Sequence, residues 1–173
     1  MITVQLKDCL RDATVADDGG SSNTEHGYMN DTNTNVGGWT DSKRRVWCNN
    51  YFYNAIPASM RTLIKPVNKL TSAGNQSDTI NIDSDKCFLV SEIEVIGSVI
   101  KSKTGEGNQY NYFKTASNRY KLPKWSSSSS SDFWWERSPH GSNATLFCLV
   151  NSTGRASLDN ASSARGLAPA WCL

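Results

Sequence analysis

Apolar and polar positions change period several times along this chain. Ile2-Thr3-Val4-Gln5-Leu6 alternates, which predicts a first strand. Residues 12–38 are rich in Asp, Gly, Ser, Asn and Thr and predict a long loop ending at Gly37-Gly38. Over 42–54 the apolar positions Val46, Tyr51, Phe52 and Ala55, with Trp47 and Cys48, suit one buried face of a helix capped by Thr40 or Asp41. Pro57 suits the first turn of a second short helix to Ile64, and Pro66 ends it. Ile80 and Ile82 then alternate with polar neighbours, and Lys86-Cys87-Phe88-Leu89-Val90 reads as a buried strand. Ser91 and Glu94 form a capping-box pattern for a short helix to Ile96, which Gly97 closes.

The second half reads differently. Residues 101–125 are polar and aromatic, with Tyr110, Tyr112, Phe113, Tyr120 and Trp125, and core packing is the better reading of that patch. Ser126 to Ser131 predicts a flexible loop. Strands are expected over Phe133–Arg137, Leu146–Asn151, Arg155–Leu158 and Leu167–Leu173, with a tight turn at Asn151-Ser152-Thr153-Gly154. The balance is α+β, with two N-terminal helices and a C-terminal antiparallel sheet.

Composition narrows the function classes. At 173 residues one domain is the default. A net charge of +2 gives no case for nucleic-acid binding. No apolar run approaches the ~20 residues that span a bilayer, so membrane insertion is not expected, and the first residues carry no signal-peptide pattern. The five cysteines, Cys9, Cys48, Cys87, Cys148 and Cys172, are odd in number and scattered, so buried reduced thiols are expected, with a Cys148–Cys172 contact allowed. The two histidines, His26 and His140, stand in irregular regions with no spacing that suggests a triad. Asp17-Asp18-Gly19 and Asp83-Ser84-Asp85 offer oxygen ligands, but solvated turn carboxylates are the better reading. No catalytic residue, metal or cofactor is expected.

The last quarter carries the functional signal. Asp132-Phe133-Trp134-Trp135-Glu136-Arg137-Ser138-Pro139 opens it and Gly166-Leu167-Ala168-Pro169-Ala170-Trp171-Cys172-Leu173 closes it. Between them Phe147, Cys148, Val150, Gly154, Ala156, Ala161, Gly166 and Pro169 look like framework. The rest are chemically assorted: His140, Ser142, Asn143, Thr145, Leu146, Leu149, Asn151, Arg155, Ser157, Leu158, Asp159, Ser163 and Arg165. On alternation, Cys148 and Val150 face inward while Leu149 and Asn151 face out. Of Trp134 and Trp135, one is expected in the core, and the other either floors a binding surface or is buried as well. Arg137 is expected to pair with a buried carboxylate or carbonyls. On spacing alone an ordinary solvated hairpin and loop is the better reading.

Several motifs in order resemble a known family: Thr34 to Trp39, Trp47 to Tyr53, Ile64 to Ser77, Asp85 to Glu92, Glu94 to Gly97, Glu106 to Tyr110, Trp134 to Pro139, Phe147 to Val150, and Gly166 to Cys172. This is a domain family of unassigned function, common in gut bacteria and their phages. It is similar to the C-type-lectin-like fold shared by formylglycine-generating enzymes and the variable proteins of diversity-generating retroelements. The chain departs from the pattern at Glu136, where Leu usually sits, and in a longer region 11–30. The resemblance implies a C-type-lectin-like domain over 39–173, with 134–173 the variable region and 1–38 an N-terminal strand and loop with an anchoring role. It implies a non-enzymatic display protein, set in a phage or prophage particle or in the bacterial cytoplasm before assembly. The partner would be a protein or glycan on a bacterial surface, and a homo-oligomer would add avidity. The alternatives are a structural or decoration protein of the particle with no diversified site, and a degenerate enzyme-like fold.

Overall fold

A computed structural model describes residues 1–11 and 27–173. The loop expected over 12–26, with Asp17-Asp18-Gly19 and His26, lies outside the described residues. The architecture is mixed α+β with few, short helices and three antiparallel sheets. Where one C-terminal sheet is expected, the strands instead divide into β1-β8-β4, β2-β3 and β5-β6-β7.

β1 (Thr3–Gln5) pairs with β8 (Ala170–Cys172), and β8 pairs on its other edge with β4 (Cys87–Phe88). Segments far apart in sequence thus share one sheet, and the chain's first strand is built into the same unit as its last. The first helix runs as α1 (Lys43–Trp47), a π-helical turn (Cys48–Phe52) and α2 (Tyr53–Ala55); α3 (Ala58–Arg61) follows. The cap is Ser42, not Thr40 or Asp41: its hydroxyl accepts the Arg45 N–H at 3.1 Å. The buried face is Arg44, Trp47, Cys48 and Phe52, while Val46 and Tyr51 are exposed. The cause is Arg44, whose guanidinium donates to the Tyr28 carbonyl at 2.6 and 2.9 Å and lies 5.3 Å from the Trp47 ring. A satisfied buried cation rotates the helix away from its simplest apolar stripe. The wider π turn then brings Phe52 under Trp47 and against Trp171 of β8.

The β2 (Val67–Ser72) and β3 (Ile80–Asp85) hairpin inverts its expected polarity. Ile82 is 66% exposed, whereas Asp83 and Asp85 are buried against α1, so these carboxylates are not solvated turn residues. Asp85 accepts Trp39 Nε1 at 2.7 Å, Arg45 Nε at 2.8 Å and Asn49 Nδ2 at 2.9 Å; Asp83 accepts the Thr40 hydroxyl at 2.8 Å. α4 (Glu92–Ile96) follows its pattern closely, with the Ser91–Glu94 capping box formed and Gly97 left-handed at φ 87°. The patch after it splits. Phe113 is buried, and Tyr112 and Tyr120 are exposed, on two 3-10 turns (Asn111–Lys114 and Ala116–Arg119). No helix among the described residues is long and apolar enough to cross a membrane.

Candidate functional site

The C-terminal sheet is built from β5 (Trp134–Pro139), β6 (Leu146–Val150) and β7 (Ala156–Asn160). β6 is central, pairing with β5 on one edge and with β7 on the other. Asn151 closes the β6–β7 turn: its Oδ1 accepts the backbone N–H of Thr153 and Arg155, and Gly154 sits at φ 73°.

Two expectations fail here. Leu149 does not face out; Cys148, Leu149 and Val150 are all fully buried. β6 carries a continuous apolar run, Leu146-Phe147-Cys148-Leu149-Val150, and such a run marks a strand covered on both faces. That signal was present in the sequence. Second, neither Trp134 nor Trp135 floors an open surface, for both are fully buried. Trp134 stacks on Phe113 and donates through Nε1 to the Arg119 carbonyl at 2.9 Å; Trp135 donates through Nε1 to the Gly27 carbonyl at 2.6 Å. The pairing register of β5 shifts between Trp135 and Pro139, so this strand does not keep one wet face.

The other assorted positions all reach solvent. Ser142, Asn143 and Arg155 are exposed; His140, Thr145, Leu146, Asn151, Ser157, Leu158, Asp159, Ser163 and Arg165 are half-buried. The framework positions between them, Phe147, Cys148, Val150, Gly154, Ala161, Gly166 and Pro169, are buried, and Ala156 is half-buried. Strand rise sets the spread. Thr145 and Leu146 stand at one end of β6 and Asn151 and Arg155 at the other, ~15 Å away. Ser157 and Leu158 on the edge strand β7 lie between them.

Several of these side chains are already engaged. Asp159 accepts Arg165 Nε at 2.7 Å and the Ser163 hydroxyl at 2.9 Å. Burial opposes its ionisation, but the bonds from Arg165, Ser163 and the Asn160 backbone together hold its carboxyl below the ordinary range. Asn143 Oδ1 accepts the Thr145 backbone N–H and hydroxyl, each at 2.7 Å. Partial burial and nearby Lys101 lower the His140 pKa. Arg155, Ser157 and Leu158 carry no side-chain bond to the described residues.

A residue outside this set holds the hairpin in place. Asn35 is fully buried; its Nδ2 donates to the carbonyls of Asn143 and Leu146 at 2.7 and 2.8 Å. Its Oδ1 accepts the Asn75 N–H at 2.8 Å, and its own N–H donates to the Ala144 carbonyl. One side chain thus ties the 143–146 loop to the β2–β3 turn. Its place in a Thr-Asn-Val-Gly-Gly-Trp segment was visible in the sequence; its partners, 40 to 111 residues away, were not.

Arg137 meets its expectation beneath the sheet. It donates to Glu94 at 2.6 Å and to the carbonyls of Leu70, Leu89 and Glu106. Glu94 also takes Lys69 Nζ at 2.5 Å. Burial works against its charge, yet Arg137 and Lys69 pull its carboxyl below the ordinary value. Glu92 accepts the backbone N–H groups of Ile100, Lys101 and Ser102, and so fixes the loop beside Gly141. All five thiols are free and buried. Burial pushes Cys148 well above its ordinary value, and Cys9 and Cys87 up to about 12, which disfavours thiolate. Cys148 Sγ lies by the Pro139 carbonyl and Cys172 Sγ by the Thr3 hydroxyl, and no Cys148–Cys172 contact forms. Among the described residues no group of three or more His, Cys, Asp or Glu is placed to hold a metal ion.

The family model for a domain of unknown function, DUF6273, matches residues 8–173, and the chain belongs to that family. No curated protein and no solved structure matches it.

Proposed function

We propose that this DUF6273 member is a display protein: a C-type-lectin-like scaffold that recognises a protein or glycan on a bacterial surface through residues 140–165. The observation that carries this is the separation of roles along the segment. Every assorted position except Leu149 reaches solvent, while the framework positions between them are buried, Ala156 apart. A surface with that division accepts many side chains without loss of the core. Recognition is non-covalent, through the free Arg155, Ser157 and Leu158 among others, and needs no cofactor. In the retroelement setting, template adenines miscopied by a reverse transcriptase change the assorted codons and spare the framework. A phage or prophage particle is the setting, and the protein acts there in receptor binding or adhesion.

One observation favours a second reading, a structural or decoration protein of the particle. Asp159, Ser163, Arg165, Asn143 and Asn151 bond within the chain, which suits a fixed surface.

Deep sequencing of the gene in its source population separates the two. Diversification requires substitutions clustered over His140 to Arg165 that trace to template adenines, with Phe147, Cys148, Val150 and Gly154 unchanged. Even variation along the gene, or none, sinks the display reading. Leu149 is the internal control: buried among framework residues, it should vary far less than Leu158.

A further inference from the structure

A second concavity lies away from the assorted surface. It encloses about 560 Å³, and none of the assorted positions lines it. That volume is typical of small-molecule sites. One wall is β1 and the residues just after it; the other is the 3-10 turn that begins at Asn111. Both walls come from segments outside 134–173, so whatever this site binds stays constant if that region varies.

Its chemistry is cationic, polar and aromatic together. Two lysines line it and no Asp or Glu does. Lys7 is exposed at the rim, and its ammonium forms no ion pair with the described residues. Lys121 is buried beneath; its Nζ donates to the carbonyls of Leu6 and Lys7 at 2.5 and 3.1 Å, which accounts for two of its three donors. Among the described residues no carboxylate forms an ion pair with it, and burial lowers it to about 8. Its Nζ also lies 5.1 Å from the Trp134 ring, and a buried cation held by carbonyls and a ring face adds positive potential to the cavity. Gln5 adds a polar demand: its Nε2 donates to the Ala168 carbonyl at 3.0 Å, which leaves Oε1 buried with no partner among the described residues. A buried acceptor left unpaired calls for a donor. Asn111 is exposed with its amide unused among the described residues. Tyr112, 57% exposed, stands edge-on to Phe113 at 5.2 Å and leaves ring surface open to a flat apolar face.

We propose that this cavity is a constant ligand site and that its ligand is an acidic sugar. The sugar carboxylate sits at Lys7 over the Lys121 ammonium, ring hydroxyls meet the Asn111 amide and, after a side-chain shift that uncovers it, Gln5 Oε1, and a C–H face of the ring rests on Tyr112. A neutral sugar leaves the cationic end unused. An aromatic acid brings one hydroxyl at most to Gln5 Oε1 and the Asn111 amide. The site stands whether or not residues 140–165 diversify.

The test is saturation-transfer NMR with calorimetric titration of the full chain. The probes are galacturonate, glucuronate and N-acetylneuraminate, against galactose and 4-hydroxybenzoate. An acidic sugar is expected to bind with a dissociation constant of about 1 mM or tighter, and galactose at least ~tenfold more weakly. Lys7→Ala and Tyr112→Ala, both at exposed positions, should each weaken that binding ~tenfold. Arg155→Ala, on the assorted surface, should leave it unchanged. The proposal is overturned if no acidic sugar binds, if 4-hydroxybenzoate binds as well as the best sugar acid, or if binding survives both substitutions. A loss on Arg155→Ala instead assigns the sugar to the assorted surface and equally removes this site.

Discussion

Glu136 is the residue least at ease in its surroundings. It is fully buried, and neither carboxyl oxygen has a partner among the described residues. The nearby cation does not reach it: Arg137 is spent on Glu94 and carbonyls. The groups around it are mostly acidic, Glu92, Glu106 and Glu94, with the Cys148 thiol on β6 also close enough to feel its charge. Burial first, and these carboxylates second, push its carboxyl well above the ordinary value of 4.5, and burial takes Glu106 to about 7. Both folded values exceed the unfolded one, so the native state keeps protons that the unfolded chain releases. That stabilisation is full below pH 4.5 and is lost as pH rises, through about 7 for Glu106. Unfolding midpoints in urea should therefore fall between about pH 5 and about pH 8. Glu136→Leu, which restores the residue usual in the resembled pattern, should add ~1–3 kcal/mol at neutral pH with an unchanged urea slope and should flatten the pH profile. A loss of stability in that variant would mean that Glu136 has a partner in solution.

At the scale of elements, the β6–β7 hairpin separates what is fixed from what is free. Leu149→Ala should cost ~2–5 kcal/mol, because it empties a fully buried site in the central strand. Arg155→Ala should stay within ~0.5 kcal/mol. Asn35→Ala strands two carbonyls and one N–H, and should cost ~1–3 kcal/mol. Hydrogen exchange should localise that effect to residues 143–146 and the turn at Asn75. Equal protection there in the variant and the parent would remove Asn35 as the tie. Elements set by neighbouring residues were legible beforehand: the Ser91–Glu94 capping box, the Gly97 stop and the Asn151–Gly154 turn. Those set by distant partners were not, notably the helix face turned by Arg44 on the Tyr28 carbonyl.

The whole molecule presents two unlike surfaces on one buried frame: the assorted surface of the β6–β7 region, and the constant cavity between β1 and the 110–113 segment. The frame is unusually polar for a core, since Arg44, Arg137, Lys121, Glu92 and Glu94 are buried alongside four fully buried Trp side chains. Networks of that kind tolerate little change within and leave the periphery independent. Combined Arg155→Ala, Ser157→Ala and Leu158→Ala should therefore shift the thermal midpoint by no more than a few degrees, near the sum of the single effects. Asp159→Ala should lower it further, because it releases Arg165 and Ser163 together. A triple variant that unfolds at room temperature would show that these positions carry the fold.

Local sequence determined the α+β class, the Ser91–Glu94 cap with its Gly97 stop, the Asn151–Gly154 turn and, Leu149 and Ala156 apart, the division of residues 140–165 into framework and solvent-facing positions. Period and spacing reveal which side chains share a face, since that depends only on backbone geometry. They do not reveal which face meets the interior, since that depends on what another segment brings across. Tertiary contact decided that Ile82 faces out and Asp85 in, that both Trp134 and Trp135 are closed off, and that Asn35 holds the hairpin. It also left Glu136 without a partner among the described residues. In each case the deciding partner lies outside the local window, and its hydrogen bonds or burial outweigh the preference of the strand or helix alone.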